Sequence, residues 1–139
     1  MKTAIRYFTR SKIGNTKKLA DAVSAATGIE ASDVSNDLTE KVDRLFLINA
    51  MYAADIDKEV VAFLERNKDL IGEIVNMNTS ASGASTLKAV KKAAGRLGIA
   101  VSESEFHCAA SWIFINKGLP SAKDLAKAGE FAKKLSEQR

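Results

Sequence analysis

The chain has 139 residues, of which 46% are hydrophobic and 27% are charged. This composition is typical of a soluble globular protein and excludes a disordered or fibrous one, and the length predicts a single domain over residues 1–139. Lysine and arginine number 21 against 17 acidic residues, a formal charge of +4. Because the cations are scattered along helix faces and form no stripe, we expect no nucleic-acid partner.

The cysteine count and the apolar runs indicate the compartment. Cys108 is the single cysteine and has no partner for an internal disulfide, which favours a reducing compartment, and we expect the cytoplasm. Arg6 interrupts the first apolar stretch, "TAIRYF", so this stretch does not predict a signal peptide. No apolar run approaches the length of a membrane span. We therefore expect no membrane partner, and a monomer or weak dimer.

Strand and helix patterns alternate along the chain. The apolar runs that predict strands are residues 3–8, 29–35, 44–49, 73–78 and 104–110. The segments with helical periodicity are residues 15–26, 57–67, 85–98 and 121–135. Parallel neighbours require crossover connections, so this alternation predicts an α/β fold in which a five-stranded, doubly wound parallel sheet lies between two layers of helices.

The C-terminal ends of the strands are the expected ligand side of such a sheet. The first loop at this side, "TRSKIGNT", precedes a helix, and its uncharged polar side chains are those of Thr9, Ser11, Asn15 and Thr16. Gly14 allows close approach of the backbone to a ligand, and a helix N-terminus favours an anion. Lys17 and Lys18 lie in the first helical turn, where the helix dipole disfavours cations unless an anion binds nearby. These features indicate a phosphate site, although Asn15 or Thr16 as a simple helix cap remains an alternative.

The motifs resemble those of flavodoxins. "SKIGNT" is similar to the [TS]-x-T-G-x-[TS] phosphate loop of that family, and "LFLINAMYAADIDKEVVAFL" resembles its third strand, flavin-binding loop and following helix. Small bacterial flavodoxin-like proteins are the most similar, through "GNTKKLA" and "TSASG". The resemblance implies strand order 2-1-3-4-5 and the cofactor FMN at the switch point.

The resemblance also implies a role for each loop. The phosphate would lie at the first loop, among Thr9, Arg10, Ser11, Gly14, Asn15 and Thr16. The isoalloxazine ring would be bordered by Tyr52 and its neighbours Ala50, Met51, Ala53 and Ala54. The pyrimidine end of the ring would be closed over by the backbone of Thr79, Ser80, Ala81, Ser82 and Gly83. No catalytic side chain and no metal ligand are implied, because the flavin carries the electrons.

Several positions depart from the family pattern. Ile13 replaces a threonine of the phosphate motif, and Arg10 adds positive charge beside it. Ala53 and Ala54 stand where many flavodoxins have a glycine, and alanine resists a positive φ. Arg6 is unexpected in a central strand. His107 and Cys108 are expected mainly to pack.

The sequence therefore predicts an FMN-binding protein that exchanges electrons with redox partner proteins. An electron carrier is favoured over a stand-alone NAD(P)H-dependent FMN oxidoreductase. The alternative is a binding module of the same fold that has lost FMN and binds another phosphorylated ligand or a protein partner.

Overall fold

The computed structural model describes residues 1–10, 14–53, 55–111 and 117–138. Its elements in chain order are β1 (Thr3–Tyr7), α1 (Asn15–Thr27), β2 (Ala31–Asp33), β3 (Val42–Ala50), α2 (Lys58–Asn67), β4 (Ile71–Ser80), α3 (Leu87–Arg96), β5 (Ala100–Val101), β6 (Phe106–Ala109) and α4 (Ala122–Ser136). A short 3₁₀ helix, Lys68–Leu70, joins α2 to β4. None of the helices described is long and apolar enough to cross a membrane.

The strands form one parallel sheet in the order β2-β1-β3-β4-β5, with β6 also paired to β4. The predicted α/β fold and the order 2-1-3-4-5 are confirmed. The sheet also contains a sixth strand that the sequence did not predict, because the last sheet position holds β5 and β6 in succession. β5 pairs with Glu73 and Ile74, whereas β6 pairs with residues 77–80. Residues 102–105, "SESE", separate the two strands, and glutamate is depleted in strands.

Helices cover both faces of the sheet, as the sequence predicts. Along β3, Leu45 and Leu47 pack in one apolar cluster, and Phe46 and Ile48 pack in the other. The first cluster also contains residues of α2 and α3, and the second contains residues of α1 and α4. Because both faces of β3 are buried at residues 45–48, this part of the strand is a continuous apolar run without polar alternation.

Arg6 in β1 is accommodated by backbone carbonyl groups. Its Nε donates to the carbonyl oxygen of Asn36 at 2.9 Å, and one terminal nitrogen donates to that of Asp37 at 3.3 Å. Burial lowers the pKa of Arg6 below its ordinary value, and the nearby charge of Asp37 partly offsets this effect. The guanidinium therefore holds the loop after β2 against the sheet, which explains an arginine that the sequence pattern does not.

Candidate functional site

A cavity of about 370 Å³ lies at the C-terminal ends of the strands. Its lining includes ten of the positions that the resemblance implied for the cofactor: Thr9, Asn15, Thr16, Ala50, Met51, Tyr52, Ala53, Thr79, Ser80 and Ala81. Ala110 and Ser111, after β6, also line it and were not predicted. Gly14, Arg10, Ser82 and Gly83 are not part of the lining, and Ser11 and Ala54 lie outside the described residues. The size is within the usual range for small-molecule sites.

The first turn of α1 borders this cavity. The helix begins after Gly14, which has a left-handed conformation with φ of 71°, and no side-chain hydrogen bond caps it among the described residues. Asn15 and Thr16 are buried and bonded elsewhere, so the alternative that either one caps the helix is wrong. No acidic residue lies in the first turn. The partial positive charge of this helix end therefore faces the cavity side without an anionic side chain to neutralise it.

Lys17, in the same turn, already has an acidic partner on the helix surface. Lys17 forms an ion pair with Asp21 at 3.0 Å, one helical turn later, and this hydrogen bond raises the pKa of Lys17. Its charge is therefore already partnered on the helix surface. The presence of Lys17 in the first turn is consequently weaker support for an anion site than the sequence implied.

Asn15 joins α1 to the loop after β6. Its Nδ2 donates to the backbone oxygen of Ser111 at 3.1 Å and to Ser111 Oγ at 2.9 Å. Its Oδ1 is buried and has no hydrogen-bond partner among the described residues. Because a buried acceptor without a partner is costly, this oxygen is suited to receive a donor group from a ligand in the cavity.

Thr16 joins α1 to the end of β4. The hydroxyl oxygens of Thr16 and Thr79 are 3.0 Å apart, and both residues are buried. In such a pair one hydroxyl donates to the other, and the hydrogen of the accepting hydroxyl stays free to donate elsewhere. The pair therefore places one hydroxyl donor at the cavity wall.

Tyr52 lies in a tight turn after β3. Its backbone N–H donates to the carbonyl oxygen of Asp55 at 2.8 Å, and the N–H of Asp55 donates back at 2.9 Å. Ala53, inside the turn, has φ of 50°. Ala53 therefore adopts the conformation that alanine resists, at an energetic cost, because the turn closes around it.

Arg10 lies against Tyr52 instead of lining the cavity. Its backbone N–H donates to Tyr52 Oη at 2.9 Å, and its guanidinium carbon is 5.0 Å from the centre of the tyrosine ring. Its Nε forms an ion pair with Asp57 Oδ2 at the start of α2. These contacts connect the loops after β1 and β3.

The loop after β4 is fixed by a buried ring of hydrogen bonds. Asn49 donates to Asn76 at 2.7 Å, Asn76 donates to Thr86 at 3.0 Å, and Thr86 donates to Asn49 at 2.7 Å. Asn78 adds bonds to the Thr86 N–H and the Ala84 carbonyl. This network was not predicted from the sequence, although the asparagines near the ends of β3 and β4 are a visible signal. It holds the segment that was predicted to close over a flavin.

The only histidine and the only cysteine have different surroundings. His107 is exposed, and its Nδ1 is 2.7 Å from the carbonyl oxygen of Gly83, so it supports the same loop. Cys108 is buried, and burial, with a smaller contribution from Asp124, raises the pKa of its thiol to about 11. Trp112, in the apolar run "SWIFIN" that favours a core position over a stack on the cofactor, lies outside the described residues. Neither His107 nor Cys108 lines the cavity.

Comparison with known proteins supports the fold. A short-chain flavodoxin associated with a bacterial microcompartment superposes with a TM-score of 0.71 at 18% identity, covering 98% of this chain and 97% of that one. A flavodoxin from the domain Archaea gives 0.69 at 13% identity, with coverage of 99% and 97%. A Fusobacterium nucleatum flavodoxin variant bound to flavin mononucleotide gives 0.64 at 15% identity, covering 97% of each chain.

No protein-family model matches the sequence. No curated protein matches it either. The chain therefore has the flavodoxin fold over nearly its whole length, at a sequence identity that is too low to carry a function with it.

Proposed function

We propose that this protein binds FMN in the cavity at the C-terminal ends of the strands and transfers electrons through it. One observation carries the proposal: the first turn of α1 and the side chain of Tyr52 border the same cavity. An anion-favouring helix end and an aromatic ring are the two surfaces that a phosphate-bearing flavin requires. A structural neighbour in complex with flavin mononucleotide supports this choice of ligand.

The cavity residues fit FMN in size and polarity. Ala50, Ala53, Ala81 and Ala110 leave space for a flat ring beside Tyr52. Thr9, Asn15, Thr16 and Ser111 provide polar groups at the α1 side, where the phosphate and its sugar chain would bind. The cavity has one helix N-terminus and the sequence has no G-x-G-x-x-G turn, so FMN is favoured over a dinucleotide such as FAD.

The bound flavin would supply the redox chemistry, and the protein would position it. Tyr52 is the only residue with an ionisable side chain among the described residues that line the cavity. The described part of the cavity lining thus contains no acid–base pair for a reaction on a second substrate. We propose an electron carrier that serves redox partner proteins rather than a stand-alone NAD(P)H-dependent oxidoreductase. The proposed location is the cytoplasm.

The experiment is to purify the protein, denature it and identify any released flavin by chromatography. We expect FMN in close to equimolar amount. Release of FAD would contradict the assignment of the phosphate site. A Tyr52→Ala variant purified in parallel is expected to retain less flavin, because it lacks the aromatic wall of the cavity.

A second candidate is a binding module without flavin. The observation that favours it is that the polar side chains near α1 already bond to each other, as in the Thr16–Thr79 and Asn15–Ser111 pairs. Such a module would bind a phosphorylated ligand that lacks a flavin ring. Saturable binding of FMN and a matching loss in Tyr52→Ala would contradict this candidate.

A further inference from the structure

Three residues form what we call the Arg10 clasp: Arg10, Tyr52 and Asp57. They come from the loop after β1, the turn after β3 and the first position before α2. The backbone N–H of Arg10 donates to the hydroxyl oxygen of Tyr52, and the guanidinium group of Arg10 lies over the tyrosine ring. The distance of 5.0 Å between the guanidinium carbon and the ring centre is within the range of an attractive cation–π contact.

The clasp is anchored on the α2 side. The Asp57 side chain is only 1% exposed, whereas that of Arg10 is 56% exposed. Asp57 Oδ1 accepts a hydrogen bond from the Glu59 N–H at 2.8 Å, which fixes the carboxylate as the cap of α2. A buried carboxylate requires a partner for its charge, and Arg10 supplies it at Oδ2. This ion pair therefore connects Arg10 to the start of α2.

The clasp is also oriented relative to the cavity. Tyr52 lines the cavity and Arg10 does not. The guanidinium thus supports the tyrosine ring without taking up ligand space.

We propose that Arg10 is a positioning residue that holds the Tyr52 ring at the flavin surface, and that it is not a ligand of the flavin phosphate. This inference rests on the proposed function. This role differs from the one expected from the resemblance, in which Arg10 adds positive charge beside the phosphate.

Riboflavin distinguishes the two roles because it has the ring of FMN and lacks the phosphate. If Arg10 acts through Tyr52, the variant Arg10→Ala weakens binding of FMN and riboflavin by the same factor, about three- to tenfold for the loss of one cation–π contact and its ion pair. If Arg10 binds the phosphate, the variant weakens FMN binding alone.

Matched variants separate charge from geometry. Arg10→Lys keeps the charge but lacks the planar, forked guanidinium, so we expect it to weaken binding of both flavins almost as much as Arg10→Ala. Asp57→Asn removes the ion pair and keeps an oxygen that caps α2, so we expect a smaller loss in the same direction. Lys68→Ala removes a positive charge next to the opposite end of β4, and we expect no change.

A double variant tests whether Arg10 works through the ring. In a Tyr52→Ala background, Arg10→Ala is expected to cause no further loss of affinity for either flavin. A second readout needs no flavin: the NMR signals of the Tyr52 ring should move in Arg10→Ala and Asp57→Asn, and stay in place in Lys68→Ala.

The outcomes are distinct. A loss of FMN affinity alone, or unchanged affinity of Arg10→Ala for both flavins, overturns the positioning role. Unchanged Tyr52 signals in Arg10→Ala also overturn it, because the clasp would then not hold the ring. If the wild-type protein binds neither flavin, the proposed function fails, and the NMR comparison still decides whether the clasp exists.

Discussion

The hydroxyl oxygens of Thr16 and Thr79 are 3.0 Å apart, and this bond joins the first turn of α1 to the end of β4. Thr16→Val removes one partner at nearly constant volume and leaves the buried Thr79 hydroxyl unpaired. We expect the free energy of unfolding to fall by about 1–2 kcal/mol, measured by urea denaturation. The double variant Thr16→Val/Thr79→Val should lower the free energy of unfolding by less than the sum of the two single effects. Strict additivity of the two single effects would contradict a bond between these hydroxyls.

Ala53 offers a test of backbone strain. Because its φ is 50°, Ala53→Gly is expected to raise the free energy of unfolding by up to about 1 kcal/mol. Ala25→Gly, at an exposed position inside α1, is the matched control and is expected to lower it by about 1 kcal/mol. The midpoint of thermal unfolding should therefore rise in Ala53→Gly and fall in Ala25→Gly, relative to the wild-type protein. A loss of stability in Ala53→Gly would show that the turn does not hold Ala53 in a strained conformation.

The ring of hydrogen bonds formed by Asn49, Asn76 and Thr86 should be sensitive to a single change. Thr86→Val leaves a buried acceptor on Asn49 and a buried donor on Asn76 without their partner, so we expect a loss of about 2–4 kcal/mol in the free energy of unfolding. Ser82→Ala, in the same loop but exposed, should change it by less than about 0.5 kcal/mol. Equal effects of the two variants would mean that the network does not stabilise the loop.

Cys108 should make stability depend on alkaline pH. Its thiol has a pKa of about 11 in the folded protein, against an ordinary value of 9.0. The unfolded chain therefore loses this proton first, and the contribution of Cys108 to stability is complete below pH 9 and is lost as the pH rises to about 11. The difference in unfolding free energy between the wild-type protein and Cys108→Ala should decrease over that interval. A constant difference would contradict the raised pKa.

The same residue gives a chemical test at constant pH. Because only the thiolate reacts with alkylating agents, the native Cys108 should be alkylated at pH 8 much more slowly than the same residue in denaturant. Equal alkylation rates in the native and the denatured protein would show that the thiol is not buried and that its pKa is not raised.

Most of the fold was predictable because its signals are local. The apolar run of β3 and the periodic helices around it predicted the layers, and the resemblance to flavodoxins implied the strand order. β5 was missed because two residues, Ala100 and Val101, give no periodicity. The pairing of Lys17 with Asp21 was visible in the sequence at helical spacing and was overlooked.

The sequence indicated which loops form the candidate site, but it did not indicate which side chains contact each other there. The sequence placed Arg10 near a phosphate because the two share a loop, but its partners Tyr52 and Asp57 are separated from it by more than one element. The bond between Asn49 and Asn76 likewise depends on the register of β3 against β4. Such contacts follow from strand pairing and loop paths, which periodicity does not encode.

The most direct test of the central proposal is a titration of the flavin-free protein with FMN, followed by the quenching of flavin fluorescence. We expect saturable binding of one FMN per chain, with weaker binding in Tyr52→Ala. Circular dichroism of the same samples establishes that the protein and the variant are folded. A folded wild-type protein that shows no saturable quenching would contradict the assignment of this cavity as an FMN site.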